Sequence, residues 1–437
     1  MSGNPFGPRE LLERLGAHLD APRILVGYSG GADSAALTHA LAHAGLDRPI
    51  RAVHIHHGLD PSADAWADLC RRNCAAWGVP FALERVRVDS GNGGREAAAR
   101  AARYAAFEQM LDTDECLLLA HHRDDQAETV LMQLLRGSGV DGLRAMPAER
   151  RLGRGWLLRP VLDWPRSTLA DYVAAHGIEH VTDPDNLDPT RERAWLRSAV
   201  LPVLTERRPG VIQTLARVAD NLAEAATVIT QAAERALAEC RDADTLRVEP
   251  LAGLDAALRH AVIRHWLAQQ RLPTPDRERL QQIDAAVCQV PKCGWARVDW
   301  NDTGVAIWRG RVFAIARRVG EPFALEWDTR DPLPLPGGRR LELRSSPDGE
   351  IDPALIRQGR LHVRSARGGE HIELAGRGSR SVRHVLAAAG VAPWLRDAVP
   401  LVFVGKRLAL VGDVATAAAF QKKSAQQTGL TLRIEAA

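Results

Sequence analysis

The sequence predicts an α/β protein with an N-terminal domain on a parallel sheet, then a mostly helical domain, then a small mixed α/β domain at the C-terminus. Three observations predict it. Short β-branched apolar runs alternate with helical segments through the first part of the chain. Apolar residues then recur at the helical period from Leu215 to Ala236. Beyond a Pro-rich stretch at Asp328–Pro336, apolar and polar residues alternate as in strands. At ~150 residues per domain the length suggests about three domains, placed at 1–209, 210–325 and 326–437.

Arg9 to Leu19 reads as a first helix. Ile24-Leu25-Val26-Gly27-Tyr28 is a buried strand that stops at Ser29-Gly30-Gly31 and gives way to Ala32-Asp33-Ser34 and a helical Ala35–Leu41. Adjacent glycines let backbone N–H groups converge on a ligand, and a helix N-terminus adds positive potential, so a phosphate is the natural guest. Ser29 and Ser34 can donate hydroxyl hydrogen bonds, and Asp33 is placed to hold a Mg²⁺ that bridges phosphates. The loop lacks the lysine of a Walker A loop, so neutralising cations must come from elsewhere. For the two glycines alone, a plain turn is the competing reading.

A strand at Arg51–His57, a helix at Ser62–Trp77, a strand at Phe81–Val88, an Ala-rich helix at Glu96–Leu111 and a strand at Cys116–Ala120 follow. Near-continuous apolar strands alternating with helices imply a parallel sheet covered on both faces, with ligands at the carboxyl ends of the strands. Ser29, His56-His57 and His121-His122 fall at those ends and should share one crevice. His121 to Thr129 opens a helix on which Asp125 and Glu128, at i and i+3, share a face and can grip an ammonium group. The metalloprotease His/Glu spacings are absent. A solvated acidic helix start is the alternative. On the Ala-rich helix Arg100 and Arg103 share a face and can supply the missing cations, with a solvated arginine face as the competing reading.

Leu215, Val218, Leu222, Ala225, Ile229, Ala232 and Ala236 form one stripe of a long helix. Leu251–Gln270 is a second, and Thr274-Pro275 supplies an N-cap and a proline at the first position of a third. Trp295 to Arg318 alternates as short strands, and Asp328–Pro336 reads as a linker or the entry to the last domain. Arg340–Arg344 and Leu361–Arg364 are strands of the last domain. The stretch Arg364–His384 sets Arg364, Arg367, Arg377, Arg380 and Arg383 among glycines, against Glu370 and Glu373. As an exposed, flexible basic segment it can meet phosphates without reading sequence, with a solvated loop as the competing reading.

A composition of 46% hydrophobic and 25% charged residues belongs to a globular protein with real cores. No stretch approaches the ~20 uncharged apolar residues needed to cross a membrane, and Met1-Ser2-Gly3-Asn4-Pro5 leads into mixed charge, so the chain reads as cytoplasmic. Six cysteines with no Cys-x-x-Cys spacing read as reduced thiols. Cys70 and Cys74 are one helical turn apart, while Cys288 and Cys293 bracket Gln-Val-Pro-Lys. A net charge of +3 permits a nucleic-acid partner without requiring one.

The Ser-Gly-Gly-x-Asp-Ser string resembles the PP-loop of the ATP pyrophosphatases (adenine nucleotide alpha hydrolase-like fold), which activate an oxygen by adenylation. Further strings follow in order: His54–Leu59, Glu96–Tyr104, His121–Thr129, Asp183-Pro184-Asp185-Asn186, Arg193-Ala194-Trp195-Leu196-Arg197 and Leu201-Pro202-Val203-Leu204. Together they resemble the tRNA(Ile)-lysidine synthetase family, and Gly368-Gly369-Glu370 with Pro393–Asp397 and Pro400-Leu401 resemble its C-terminal domain. Asp60 stands where the family usually has Arg, and Ala194 where it has Asn.

The resemblance implies ATP-dependent ligation of lysine to C2 of the wobble cytidine of CAU-anticodon isoleucine tRNA, through an adenylated cytidine. The product, lysidine, changes the codon read from AUG to AUA. It implies Ser29, Gly30, Gly31, Ala32, Asp33 and Ser34 for ATP, Asp33 for Mg²⁺, and Asp125 with Glu128 for lysine. Asp33, Arg100, Arg103, Arg193 and Arg197 are the catalytic candidates. The helical domain and Arg367, Arg377, Arg380, Arg383 and Arg396 would hold tRNA, and a homodimer is a further expectation. The rivals are a tRNA thiolation enzyme, whose cysteine pattern is missing, a NAD or GMP synthetase, which has no need of a basic C-terminal domain, and a tRNA-binding protein without catalysis.

Overall fold

The computed structural model describes residues 5–88, 95–183, 188–289, 294–316, 322–356, 360–424 and 427–436. Residues 1–4, Gly94, Pro184, Asp185, Asn186, Cys293, Arg318 and the side chain of Glu96, all used above, lie outside the described residues. The chain divides into two units, Met1–Val228 and Ile229–Ala437.

The first unit opens with α1 (Pro8–Leu15), ended by Gly16 at φ +48°, and a 3₁₀ turn (Gly16–Asp20) where a single helix was expected. There follow β1 (Ile24–Gly27), α2 (Ala32–Ala42), β2 (Ile50–His56), α3 (Ala63–Ala76), β3 (Phe81–Arg85), α4 (Arg95–Met110), β4 (Cys116–Leu118) and α5 (Arg123–Leu135). A single turn α6 (Val140–Leu143) leads to a hairpin, β5 (Glu149–Leu152) and β6 (Gly155–Leu158), and then to α7 (Arg166–Ala175). Next come α8 (Glu192–Trp195), a π-helical turn (Leu196–Val200), α9 (Leu201–Arg207) and the long α10 (Val211–Cys240).

The sheet runs β3-β2-β1-β4-β6-β5, parallel except for the antiparallel edge strand β5. Ile24 of β1 stands opposite Ile50 on one side and Cys116 on the other. The apolar strands bury both faces. Val26, Leu37, Leu41, Cys70 and Leu169 belong to one core and Leu25, Val53, Phe107 and Leu117 to the other. A Cβ at Gly27 would lie 2.5 Å from Leu119 Cδ2 and 3.2 Å from Phe107 Cζ, so any larger residue there forces those side chains to move. Successive crossovers build outward from β1 to β3, then the chain returns to the far side of β1 as β4. The β1/β4 boundary is therefore the switch point where a ligand crevice forms.

The second unit begins its own folding within α10. It continues through β7 (Arg241–Asp242), β8 (Thr245–Arg247), α11 (Val248–Ala252), α12 (Ala256–Gln269), α13 (Arg277–Cys288), β9 (Trp295–Trp300), β10 (Thr303–Trp308) and β11 (Arg311–Ala316). Ala233, Leu237, Val262, Trp266, Ile283 and Val305 form one core there. The expected helix Leu251–Gln270 is broken at Gly253-Leu254-Asp255, and the third helix is capped by Asp276, whose side chain accepts from Arg279 N–H, in place of Thr274.

The remainder is β12 (Ala324–Trp327), β13 (Leu333–Leu335), β14 (Arg339–Ser346), α14 (Pro353–Ile356), β15 (Leu361–Arg364), β16 (His371–Leu374), β17 (Gly378–Ser381) and α15 (Val382–Ala388). A 3₁₀ turn (Pro393–Ala398) precedes β18 (Leu401–Val404), β19 (Arg407–Val411), β20 (Ala415–Thr416) and β21 (Gly429–Ala436). The stretch read as a linker contains β13, paired with β14. The stretch read as a flexible basic loop is an ordered hairpin, β16–β17, leading into α15. Trp394 packs against Phe313 (ring centroids 5.1 Å), Trp308 (6.0 Å) and Trp295 (6.4 Å), joining the β9–β11 sheet to the C-terminal segment within this unit.

Candidate active site

The β1–α2 connection is set by hydrogen bonds inside the loop. Ser34 Oγ donates to the Gly31 carbonyl (3.0 Å) and accepts from the Ser29 N–H (3.2 Å), and the two serine hydroxyls are 3.0 Å apart. Ser34 thus helps shape the loop, its hydroxyl hydrogen-bonded within it. Gly30 sits at φ +90°, and a Cβ on it would lie 3.0 Å from Cys70 Sγ. Gly31 is extended (φ −72°) and a Cβ there would meet only Ser29 Oγ at 3.6 Å. Gly31 is also the N-cap of α2, with no side-chain cap, so the first-turn N–H groups of Ala32, Asp33 and Ser34 have no intrahelical partner. That is an anion site by construction.

At the end of β4, His122 caps α5. Its Nδ1 accepts from the Asp125 N–H (3.3 Å) while its own N–H donates to Asp125 Oδ2 (3.0 Å). Its Nε2 lies 3.6 Å from Asp33 Oδ2 and 3.5 Å from Asp125 Oδ2, so it joins the loop to α5. Burial pushes its pKa down, but Asp33, Asp125 and Asp124 outweigh burial and raise it.

The α5 carboxylates meet arginines from the segment after α8 begins. Glu128, 1% exposed, accepts from Arg197 Nε at Oε1 (2.6 Å), and from Arg193 Nε (2.7 Å) and Arg197 Nη2 (2.9 Å) at Oε2. Asp125 Oδ1 accepts from Arg193 Nη2 (2.9 Å). Burial would raise the Asp125 pKa, yet His122, Arg193 and His121 hold it below the usual carboxylate range. The carboxylate pair expected to grip an ammonium group has arginine partners in this structure. Two negative charges already face two guanidinium groups.

Arg100 and Arg103 hold no bond to the loop among the described residues; they gather around Tyr104. Their guanidinium carbons lie 5.0 and 5.7 Å from its ring centroid, Arg150 adds a third at 5.2 Å, and Arg159 Nη2 donates to its hydroxyl (3.4 Å). Arg159 Nε also donates to His121 Nδ1 (3.2 Å). Sequence reasoning missed Arg150 and Arg159. Their one signal was the Leu152-Gly153-Arg154-Gly155 turn, which marks a hairpin. His56 pairs with Asp64 away from the loop (3.2 Å), while His57 lies near Arg103, and His121 and His122 join the residues around the loop and α5. In the second unit Arg364 is tied to Glu370 (2.7 Å), whereas Arg367, Arg377, Arg380 and Arg383 are exposed and Arg396 Nε donates to the Val391 carbonyl (3.0 Å).

Asp33 offers a carboxylate on a phosphate-type loop, about a third exposed, and oxygen donors of this kind suit Mg²⁺ shared with phosphates. No cluster of three metal-ligating side chains occurs among the described residues.

Three family models match the chain: a PP-loop domain over residues 9–204, a TilS substrate binding domain over 246–313 and a TilS substrate C-terminal domain over 361–434. The tRNA(Ile)-lysidine synthase of Alkalilimnicola ehrlichii is 41% identical over 423 residues, covering 95% of this chain and 95% of the relative. The chain belongs to the tRNA(Ile)-lysidine synthase family. The synthases of Pseudomonas aeruginosa (38% identical, 92% of each chain) and Serratia proteamaculans (36%, 96% of each) are similar over most of their lengths too. Of the two departures from the lysidine synthase pattern, Asp60 accepts from the Ser62 N–H (2.7 Å) ahead of α3, and Ala194 is buried between the two cluster arginines. Neither interrupts the cluster.

Proposed function

We propose that the chain ligates lysine to C2 of the wobble cytidine of a CAU-anticodon isoleucine tRNA. The cytidine O2 attacks the α-phosphorus of ATP and pyrophosphate leaves. The lysine ε-amine then attacks C2, the C2–O bond breaks, AMP leaves, and the proton lost by nitrogen passes to solvent or a site base. The observation that carries this reading is the uncapped N-terminus of α2, with Asp33, joined through His122 to the Asp125–Glu128–Arg193–Arg197 cluster.

In this reading the N–H groups of the Gly30–Ser34 loop receive the ATP phosphates, with Ser29 and Ser34 holding the loop's shape. Asp33 would hold Mg²⁺, which when bound offsets phosphate charge and draws electrons from the α-phosphorus. Arg193 and Arg197 supply positive charge as pyrophosphate develops. Asp125 and Glu128 are cation-selective by burial and charge. The lysine ammonium binds there as the guanidinium groups turn toward phosphate, so like charge replaces like charge. Exposed Arg367, Arg377, Arg380 and Arg383, with Arg396, contact the tRNA backbone. A thiolation enzyme is disfavoured, because Cys70 lies behind Gly30 with its thiol pushed up to about 12 by burial and is no nucleophile.

The test is transfer of radiolabelled lysine to an unmodified CAU-anticodon isoleucine tRNA transcript with ATP and Mg²⁺. Label should appear with the wild type and vanish with Asp33→Ala. Release of AMP and pyrophosphate without label on the RNA would overturn the choice of nucleophile.

A further inference from the structure

Among the described residues the group around Tyr104 has no carboxylate partner. Arg100 and Arg103 come from α4, Arg150 from the edge strand β5, and Arg159 from the residue after β6. Among the described residues none of the four is in an ion pair with a carboxylate, in contrast to Arg193 and Arg197. Arg159 is 4% exposed and held by the Pro147 carbonyl (2.7 Å), His121 and Tyr104. The Nε of Arg103 is buried without a partner, and so is Nδ1 of His57. Burying like charges together, with donors left open, is costly unless an anion completes the set.

The group has a direction. Arg100 is exposed and Arg150 half-buried, while Arg103 and Arg159 lie deeper, and Arg159 touches His121 directly beside the α5 cap. It therefore runs from the surface toward the crevice. ATP already has its own anion site at the N-terminus of α2. Guanidinium groups lie within 6 Å of the Tyr104 centroid on three counts, so the ring is poorly placed to stack on a base. What the group offers is N–H donors.

We infer that Arg100, Arg103, Arg150 and Arg159, arranged around Tyr104, form a receptor for the backbone phosphates of the RNA strand entering the crevice, separate from the loop that takes ATP. This rests on the proposed function for the RNA as substrate. Positive surroundings also lower the Tyr104 pKa against the upward push of burial, as an anion receptor should.

The experiment uses the full chain, a fluorescein-labelled CAU anticodon stem–loop RNA followed by anisotropy across a salt series, and ATP affinity measured by titration calorimetry. The variants are Arg150→Gln and Arg100→Gln, both at the accessible end and so least disruptive of folding, with Arg150→Lys as the charge-conserving control. Each Gln variant should weaken RNA binding by about five- to tenfold and reduce the salt slope by roughly 0.7–0.9, the loss of about one phosphate contact. Arg150→Lys should restore most of both, and ATP affinity should stay unchanged. An unchanged RNA affinity and slope in both Gln variants overturns the proposal. So does loss of ATP affinity with RNA binding intact, which would give the group to the nucleotide's phosphates. A wild type that binds this RNA with the expected slope yet transfers no lysine would remove the proposed reaction and leave the receptor standing.

Discussion

Glu128 and Gly30 are the residues whose substitution separates chemistry from scaffold most cleanly. Glu128→Gln keeps the shape but leaves Arg193 and Arg197 with an uncharged acceptor at a 1% exposed position. Because both arginines are partly exposed, water recovers some of the loss, and the cost should be roughly 2–3 kcal/mol in urea unfolding. The KM for lysine should rise well over tenfold; a variant with wild-type stability and wild-type lysine KM would contradict the cluster's role. Gly30→Ala forces a Cβ to φ +90° and to 3.0 Å from Cys70 Sγ, costing roughly 1–2 kcal/mol and most of the ligation rate. Gly31→Ala meets only ordinary contact and should keep the stability. A thermal melt and a lysine-transfer assay on the pair decide whether the two glycines differ as stated.

At the scale of elements, the C-terminal segment meets the β9–β11 sheet through an aromatic joint. Trp394→Ala opens the space among Trp295, Trp308 and Phe313 and should cost roughly 2 kcal/mol, less than a fully buried tryptophan because Trp394 is half-exposed. Intrinsic fluorescence during urea unfolding checks it, since the joint holds three of the chain's eleven tryptophans. The β1–loop–α2 unit could be read from sequence because its signals are local: an apolar run, two glycines and a helical stretch lie within a few residues of each other. The pairing of Glu128 with Arg193, across 65 positions, has no local signal, since spacing tells which face a carboxylate occupies and not what waits opposite. The Thr274-Pro275 cap failed for a related reason. Asp276, next along, caps equally well, and tertiary packing chose between them.

At the scale of the molecule, the histidines whose pKa burial lowers set the response to acid, with His122, raised by its carboxylate neighbours against burial, acting the other way. Burial, with His43 and His176 nearby, lowers His39 to about 4, and burial with Arg159 and Arg103 lowers His121 to about 3 against the opposing pull of Asp125, both from 6.5. His54 and His57 are lowered as well, chiefly by burial. The unfolded chain then binds more protons than the native one below pH 6.5. Stability is fully present above that pH and is lost as pH falls toward 4 and 3, by at most about 1.4 kcal/mol per pH unit for each fully buried imidazole. Melting temperature should decline steadily from pH 7 to pH 5. A flat profile would mean that these rings are hydrated in the native state.

The thiol behind Gly30 is also a clock. Cys70 is fully buried and, pushed up to about 12, carries almost no thiolate, so a thiol reagent can reach it only when the loop or α3 swings open. Cys288, exposed, labels at once and serves as the internal standard. The slow labelling rate at Cys70 thus counts how often the nucleotide loop breathes, and saturating ATP should lengthen its interval without touching that of Cys288.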